Sequence, residues 1–136
     1  MVTPIWKVVD ANFNRAREGL RVCEDIVRFA ARDSVLTKLL KAKRHDLARL
    51  LTSLPVPECI LLRAREANRD VGNRSFIRSR KKPTWSSMLS ANFKRAEEAL
   101  RVLEECSLVA APKMRVRFQA MRFNIYELEK RTLSQF

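Results

Sequence analysis

Glycine is nearly absent from this chain of 136 residues, which contains only Gly19 and Gly72. The Walker and Rossmann phosphate-binding loops each need several glycines within a few residues, so both are excluded. A nucleotide bound by this chain would have to be held by arginine and lysine side chains or by helix N-termini.

Cysteine, histidine and long hydrophobic runs are also scarce. Cys23, Cys59 and Cys106 lie far apart and accompany a single histidine, His45, so the sequence defines neither a disulfide framework nor a zinc site. No stretch approaches the length of apolar residues that crosses a bilayer, and the first residues lack the pattern of a secretion signal. We therefore expect a soluble, cytoplasmic protein with no membrane partner.

The residues that are abundant favour helices. Leucine, alanine, arginine, lysine and glutamate dominate, while proline and runs of β-branched residues are few. A chain of this length with 46% hydrophobic residues suits one compact domain. We therefore predict an all-α fold that forms a single helical domain over residues 1–136.

One helical sequence occurs twice, since ANFNRAREGLRV at 11–22 returns as ANFKRAEEALRV at 91–102. A fainter echo pairs KAKRHDLARLL at 41–51 with QAMRFNIYELE at 119–129, and it aligns Arg44 with Arg122. The two echoes predict a helical bundle built from two pseudosymmetric helical hairpins. The predicted bounds are about 4–53 for repeat one, about 54–85 for a basic connector and about 86–133 for repeat two.

Chain breakers and capping residues predict where the helices end. The expected helices of the first repeat and the connector are 4–32, 34–53 and, after the break at LPVP, a short one near 57–68. Ser86 or Ser87 is expected to cap a helix that runs to about 110. Pro112 is expected to open a last helix that ends near 133.

The helical projection of the first helix places an asparagine where a hydrophobic residue is expected. The predicted solvated stripe consists of Lys7, Asp10, Asn14, Arg17, Arg21, Glu24 and Arg28, and the predicted core stripe of Ile5, Val8, Ala16, Gly19, Cys23, Ile26 and Ala30. Asn12 lies in the middle of the core stripe, and Asn92 holds the same place in the second copy. A buried amide without a partner costs about 1–3 kcal/mol, so each asparagine must be hydrogen-bonded.

Two interpretations of these asparagines stay open. In the first, Asn12 and Asn92 pair with each other or with a backbone group across a pseudo-twofold axis, and so fix the helix register. In the second, both copies of the pattern Asn-x-x-Arg-x-x-Glu line a cleft between the long helices. Gly19 and Ala99 would allow those helices to approach closely there.

An arginine and a glutamate complete each copy of the pattern, as Arg15 with Glu18 and Arg95 with Glu98. Such pairs at i and i+3 are most often surface ion pairs. Beside a buried amide, however, a guanidinium can fork onto a phosphate while the amide reads the donors and acceptors of a heterocycle. The combination suits a phosphorylated small molecule with a polar ring.

The net charge of +13 is concentrated in one segment. Residues 63–82 hold eight basic and two acidic residues, which is a local charge of +6. Within this segment, DVGN at 70–73 predicts a tight turn in which Gly72 adopts a positive φ. The turn either folds over a triphosphate or belongs to a solvated loop without a dedicated ligand. The arginines that flank it are Arg63, Arg65, Arg69 and Arg74.

Five segments together carry a family resemblance: DANFNRAREGLRVCEDIVRF, KAKRHDL, REANRDVG, ANFKRAEEALRVLEE and RFNIYELEK. Over essentially its whole length, the chain resembles the small helical domain at the N-terminus of some bacterial thiamin-phosphate synthases, which is a hydroxymethylpyrimidine-phosphate kinase. The resemblance implies transfer of the γ-phosphoryl group of ATP, with Mg²⁺, to 4-amino-5-hydroxymethyl-2-methylpyrimidine phosphate in thiamin biosynthesis. No synthase barrel follows KRTLSQF, so a stand-alone protein and an excised domain both stay open.

The resemblance also implies roles for the residues singled out above. Asp70 is the first candidate to orient the attacking oxygen or to bind Mg²⁺, and Arg15 and Arg95 are the other expected catalytic groups. Substrate contacts are expected from Asn12, Asn92, Glu18, Glu98, Arg44, His45 and Arg122, and nucleotide contacts from Arg65, Gly72 and Arg74. The pattern defines no set of metal ligands.

Two functions without catalysis stay open as alternatives. A helical binding module could contact nucleic acid through the basic loop, with an affinity that falls steeply with salt. A docking module could instead pack its helical faces against a thiamin-phosphate synthase. Base readout needs a recognition helix, and the basic residues cluster in a loop, so nucleic acid is the less favoured partner.

Overall fold

The computed structural model describes residues 3–73 and 82–136, which form helices and the turns between them. The all-α prediction is therefore confirmed for the described residues. In chain order the α-helices are α1 (Pro4–Ile26), α2 (Ser34–Thr52), α3 (Glu58–Ala64), α4 (Trp85–Ala110) and α5 (Arg115–Leu133). A single π-helical turn, Val27–Ala31, extends α1, and short 3₁₀ turns cover Ala67–Arg69 and Pro112–Met114.

Local sequence explains where α2 and α4 start. Asp33 caps α2, since its carboxylate accepts the backbone N–H of Leu36 at 2.9 Å. At the start of α4 the cap is Thr84, so the prediction of Ser86 or Ser87 as the cap was wrong. The Thr84 hydroxyl accepts the Ser87 N–H at 3.1 Å, and the Ser87 hydroxyl accepts the Thr84 N–H at 2.9 Å.

The centre of the molecule is the contact between α1 and α4, which run antiparallel. The thiol of Cys23 lies 3.8 Å from the carbonyl oxygen of Leu89, and an added Cβ at Gly19 would lie 2.8 Å from that of Asn92. Residues later in α1 therefore contact residues earlier in α4, as antiparallel helices require. Helix α2 packs on α1, α5 packs on α4, and α2 also contacts α5.

Apolar side chains from all four long helices fill the core. Phe13 and Phe118 meet edge to face with ring centroids 5.7 Å apart. The largest side chains that are almost completely buried include Leu20, Leu36, Leu40, Leu47, Leu89, Phe93, Leu100, Leu103 and Ile125. None of the helices in residues 3–73 and 82–136 combines the length with the apolar character that a membrane-spanning segment needs.

The predicted solvated stripe of α1 was wrong at two acidic positions. Asp10 and Glu24 are buried, with 7% and 3% of their surface exposed, because arginines from other elements pair with them. The predicted core stripe was wrong at Val8 and Ala30, which are both exposed. Ala30 lies in the π-helical turn, where the wider i→i+5 spacing rotates residues away from the face that an α-helix would present.

Equivalent ion pairs tie each long helix to the helix that follows it. The Arg44 guanidinium on α2 donates from Nε to Glu24 Oε2 on α1 at 2.8 Å. Its counterpart on α5, Arg122, donates from Nη2 to Glu104 Oε1 on α4 at 3.1 Å. Arg44 and Arg122 are aligned by the second sequence echo, and Glu24 and Glu104 each lie two residues after their copy of the first, so the two hairpins make matching contacts.

Candidate functional site

A cavity of about 640 Å³ opens between α1 and α4, and we call it the central cleft. Its lining consists of five pairs of equivalent residues: Asn12 and Asn92, Arg15 and Arg95, Glu18 and Glu98, Gly19 and Ala99, Val22 and Val102. The structure thus brings together both copies of the Asn-x-x-Arg-x-x-Glu pattern, as the second interpretation of the asparagines predicts. The two valines had not been singled out from the sequence.

The antiparallel pairing of α1 and α4 explains why the two patterns converge. Residues at i, i+3 and i+6 or i+7 lie on one face of a helix, so each helix presents its amide, guanidinium and carboxylate together. A small residue at the crossing allows the backbones to approach, since a Cβ on Gly19 would clash with the Asn92 carbonyl. The cleft is therefore a direct product of the duplicated sequence.

The two asparagines are hydrogen-bonded within their own helices. The Asn12 amide nitrogen donates to the Val8 carbonyl at 2.8 Å, and that of Asn92 donates to the Met88 carbonyl at 2.8 Å. They do not pair with each other or across the helix interface, so the first interpretation was wrong. One N–H suffices for this bond, which leaves further donor and acceptor capacity on each amide.

The charged groups of the central cleft are exposed and unpaired with each other. Neither Arg15 with Glu18 nor Arg95 with Glu98 forms an ion pair, so the expectation of surface ion pairs at these positions was wrong. Arg95 instead donates from Nη1 to the side-chain oxygen of Asn92 at 3.3 Å. A guanidinium without a carboxylate partner can use most of its N–H donors to bind an anion, whose charge it would neutralise.

A second cavity of about 790 Å³ adjoins the first, and we call it the loop cavity. It lies between α1 and the connector residues that follow α3. Its wall includes Arg65, Arg69 and Asp70, and it shares Asn12, Arg15 and Glu18 with the central cleft. The structure therefore places the predicted catalytic Asp70 beside the first copy of the pattern, with Arg15 between the two cavities.

A buried carboxylate on α1 anchors the connector at this position. The Arg65 guanidinium donates from Nε and Nη2 to the two oxygens of Asp10, both at 2.9 Å. These hydrogen bonds raise the pKa of Arg65 above its ordinary value. Lys7 adds an ion pair with Glu66 at 3.2 Å. Asp10, which the helical projection had assigned to solvent, is thus the partner of a predicted nucleotide-binding residue.

The predicted turn at 70–73 is present, but its geometry differs from the expectation. The Asp70 carboxylate accepts the Gly72 N–H at 2.8 Å, and the Asn73 N–H donates to the Asp70 carbonyl at 3.2 Å. Gly72 does not adopt a positive φ, so that prediction was wrong. The side chain of Asp70 closes the turn as an Asx turn and removes the need for left-handed backbone. Arg74 lies outside the described residues.

Three further residues with predicted substrate roles lie away from both cavities. Arg44 and Arg122 are engaged by buried glutamates, as described above, because a buried carboxylate requires a hydrogen-bonded cation. His45 is exposed on α2 and lines neither cavity. The sequence echo that aligned Arg44 with Arg122 therefore corresponds to a pair of equivalent ion pairs, each joining neighbouring helices.

An acidic pair between α4 and α5 was not foreseen from the sequence. Glu97 and Glu129 are buried, and Lys94 bridges them with Nζ at 3.2 Å from Glu97 Oε2 and 3.0 Å from Glu129 Oε1. Burial raises the pKa of Glu97 to about 7, and the neighbouring Glu129 adds to the shift. The same burial, with these two carboxylates nearby, raises the pKa of the Cys23 thiol to about 12.

The described residues contain no cluster of three histidine, cysteine or carboxylate side chains that could hold a metal ion by themselves. Asp70 and Glu18 nevertheless line one cavity. Mg²⁺ in phosphoryl-transfer sites is usually held by one or two carboxylates together with substrate phosphates and water. The donor set therefore fits a magnesium ion that arrives with a nucleotide.

Comparison with known proteins identifies relatives over nearly the whole chain. The model of the ThiD2 family matches residues 7–131. A thiamine-phosphate synthase from Thermosynechococcus vestitus is 38% identical over 125 residues, which cover 91% of this chain and 34% of that protein. Thiamine-phosphate synthases from Nostoc punctiforme and Rhodopirellula baltica are 38% and 34% identical over 92% and 90% of this chain, and 34% and 32% of their own lengths.

The chain spans about a third of the length of the curated relatives it matches. No solved structure matches the chain.

Proposed function

The chain belongs to the ThiD2 family, and we propose that it is an ATP-dependent phosphotransferase of thiamin biosynthesis. In this proposal the acceptor is 4-amino-5-hydroxymethyl-2-methylpyrimidine phosphate and the product is the corresponding diphosphate. The observation that carries the proposal is the central cleft, where two amides, two guanidiniums and two carboxylates face one cavity.

The chemistry of the acceptor matches the chemistry of the cleft. An aminopyrimidine offers an N–H donor and ring-nitrogen acceptors, which an asparagine amide can recognise with its own acceptor and donor. The acceptor phosphate needs a cation with several N–H donors, and Arg15 and Arg95 supply two. A cavity of about 640 Å³ is of the size that small-molecule ligands occupy.

The transfer requires little acid–base chemistry from the protein. An oxygen of the acceptor phosphate forms a new bond to the γ-phosphorus while the bond from that phosphorus to the β,γ-bridging oxygen breaks, and ADP leaves with the electron pair. The second pKa of a phosphate monoester is about 6, so at neutral pH the attacking oxygen is already ionised. The work left for the protein is alignment and charge neutralisation.

The described residues supply groups suited to that work. Arg15 lies between the two cavities, where it can neutralise charge on the transferred group. When bound with the nucleotide, Mg²⁺ would neutralise the β- and γ-phosphates, and Asp70 and Glu18 are the carboxylates of the loop cavity that could hold it. We assign Asp70 an orienting or metal-binding role rather than that of a base.

The direct test is to incubate the purified chain with ATP, Mg²⁺ and the pyrimidine monophosphate, and to separate the products by anion-exchange chromatography. The expected result is stoichiometric formation of ADP and the pyrimidine diphosphate. Absence of both products, in an assay where an unrelated pyrimidine-phosphate kinase succeeds, would refute the proposal.

Two variants test whether the cleft carries the activity. Arg95→Ala is expected to reduce kcat/KM for the pyrimidine phosphate by about tenfold or more, as loss of a hydrogen bond between charged groups does. Its melting temperature should change little, because Arg95 is exposed. Arg131→Ala on the exposed end of α5 is the matched control and should retain full activity. Equal activity of the two variants would exclude the central cleft as the site.

A further inference from the structure

The central cleft is symmetric in its lining, but a phosphoryl transfer uses two different substrates. We infer that its halves have different tasks: Asn92, Arg95 and Glu98 bind the acceptor phosphate and ring, while Asn12, Arg15 and Glu18 face the transferred group of a nucleotide held in the loop cavity. This inference rests on the proposed function and assigns each substrate to its own half of the site.

The connector breaks the symmetry of the site. Helix α3 packs against α1, and the two residues that follow α3 are held there by the ion pairs of Arg65 with Asp10 and of Glu66 with Lys7. The loop cavity therefore adjoins only the first half of the central cleft. Glu98 on the second half instead lines a separate, smaller cavity with Arg101 and Arg122.

The shared wall fixes where the substrates can react. The central cleft and the loop cavity have three lining residues in common: Asn12, Arg15 and Glu18. Phosphoryl transfer requires the attacking oxygen and the γ-phosphorus to come within about 3–3.5 Å of each other. Ligands in the two cavities can approach so closely only beside this wall, which places the transferred group next to Arg15.

Size and charge favour the nucleotide in the loop cavity. That cavity is the larger, at about 790 Å³ against about 640 Å³. Arg69, which lines this cavity, forms no ion pair within residues 3–73 and 82–136, whereas Arg65 is paired with Asp10. Asp70 presents a carboxylate on the same wall, as a nucleotide-bound magnesium ion would require.

The second half of the central cleft suits a compact acceptor. The Arg95 guanidinium is oriented by its hydrogen bond to the Asn92 side-chain oxygen, so the two side chains act as one unit. A fork of N–H donors beside a partly satisfied amide can bind a phosphate and a polar ring on a short ligand. The equivalent groups of the first half are then left for the transferred phosphoryl.

The sequence-equivalent arginines provide the decisive experiment. Steady-state kinetics of Arg95→Gln should show a KM for the pyrimidine phosphate raised about tenfold or more, the loss expected for a hydrogen bond between charged groups, with a nearly unchanged KM for ATP. Arg69→Gln should show the opposite pattern. Arg15→Gln should lower kcat, and Arg131→Gln, which lies outside both cavities, should resemble the wild type.

Equal effects of Arg15→Gln and Arg95→Gln on both KM values would overturn the division of tasks. A raised KM for ATP in Arg95→Gln would overturn it as well. Either result would leave the proposed kinase function intact. If the wild type produces no diphosphate, the proposed function fails, and calorimetric titration with Mg²⁺ and a non-hydrolysable ATP analogue tests the nucleotide placement alone. Weaker binding by Arg69→Gln but not by Arg95→Gln supports the placement. The reverse result, or no binding by the wild type, overturns it.

Discussion

Replacing Arg122 by methionine tests whether this arginine is a structural pin or a phosphate contact. In the structure its guanidinium donates to both oxygens of Glu104, and Nη1 lies 3.1 Å from the Tyr126 hydroxyl. Glu104 is only 2% exposed and therefore depends on this partner. Methionine retains most of the apolar stem of arginine and removes the charge, so the variant isolates the ion pair.

The expected cost follows from the carboxylate left behind. Removing one partner of a buried ion pair typically destabilises a protein by about 3–5 kcal/mol, because the remaining charge is buried without compensation. Arg101 Nη1, at 3.7 Å from Glu104, offsets part of this loss. We therefore expect Arg122→Met to lower the free energy of unfolding by about 3 kcal/mol. That is a large fraction of the roughly 5–15 kcal/mol that holds an ordinary domain together.

Urea unfolding followed by circular dichroism at 222 nm measures this loss. The double variant Glu104→Gln/Arg122→Met should recover at least half of it, since a neutral amide replaces the stranded carboxylate. The equivalent variant Arg44→Met should lose less, because its second contact to Glu24 is longer, at 3.5 Å. Turnover per folded molecule should be preserved in all three variants.

A different outcome would restore the prediction made from the sequence. If Arg122→Met unfolds within about 1 kcal/mol of the wild type and has lost its activity, then the ion pair contributes little and the guanidinium serves a ligand. Loss of stability with full activity in the folded fraction would establish Arg122 as the pin between α4 and α5.

Three smaller perturbations test other features of the structure. Gly19→Ala should destabilise by about 1–3 kcal/mol in thermal unfolding, because its Cβ would lie 2.8 Å from the Asn92 carbonyl oxygen. Glu97→Gln should flatten the pH dependence of the urea midpoint. Because the pKa of Glu97 is raised from 4.5 to about 7 in the folded protein, the wild-type carboxyl stabilises the fold below pH 4.5. That contribution is lost as the pH rises to 7. Thr84→Ala should cost about 1 kcal/mol by the same urea assay, through loss of a helix cap.

Much of the fold and of the candidate cleft could be predicted because both follow from local periodicity and duplication. The helices, and the convergence of both copies of Asn-x-x-Arg-x-x-Glu, needed no knowledge of distant contacts. The errors at the two acidic positions of α1 arose because a distant residue decides the outcome. Asp10 looked solvated on the helical projection, and it is buried because Arg65 reaches it from 55 positions along the chain.

The wrong prediction at Gly72 and the unforeseen ion pair of Arg44 have related causes. A turn containing glycine is compatible with several backbone conformations, and the choice here follows from a hydrogen bond to the Asp70 side chain. A conspicuous arginine is equally compatible with a ligand or with a buried carboxylate. Only the burial of Glu24, which depends on how α2 packs on α1, distinguishes the two for Arg44.

The positions at which the two copies differ indicate how a duplicated core meets two different sets of neighbouring elements. The polar groups that line the central cleft are identical in both copies. Apart from Gly19 and Ala99 in the cleft, the differences within 11–22 fall at Asn14 and Arg17, which line cavities beside α3 and the connector. Their counterparts are Lys94 and Glu97, and Lys94 binds both Glu97 and Glu129 on α5. Duplication therefore supplies two unneutralised guanidiniums to one cleft, and divergence outside the cleft adapts each copy to the element that packs beside it.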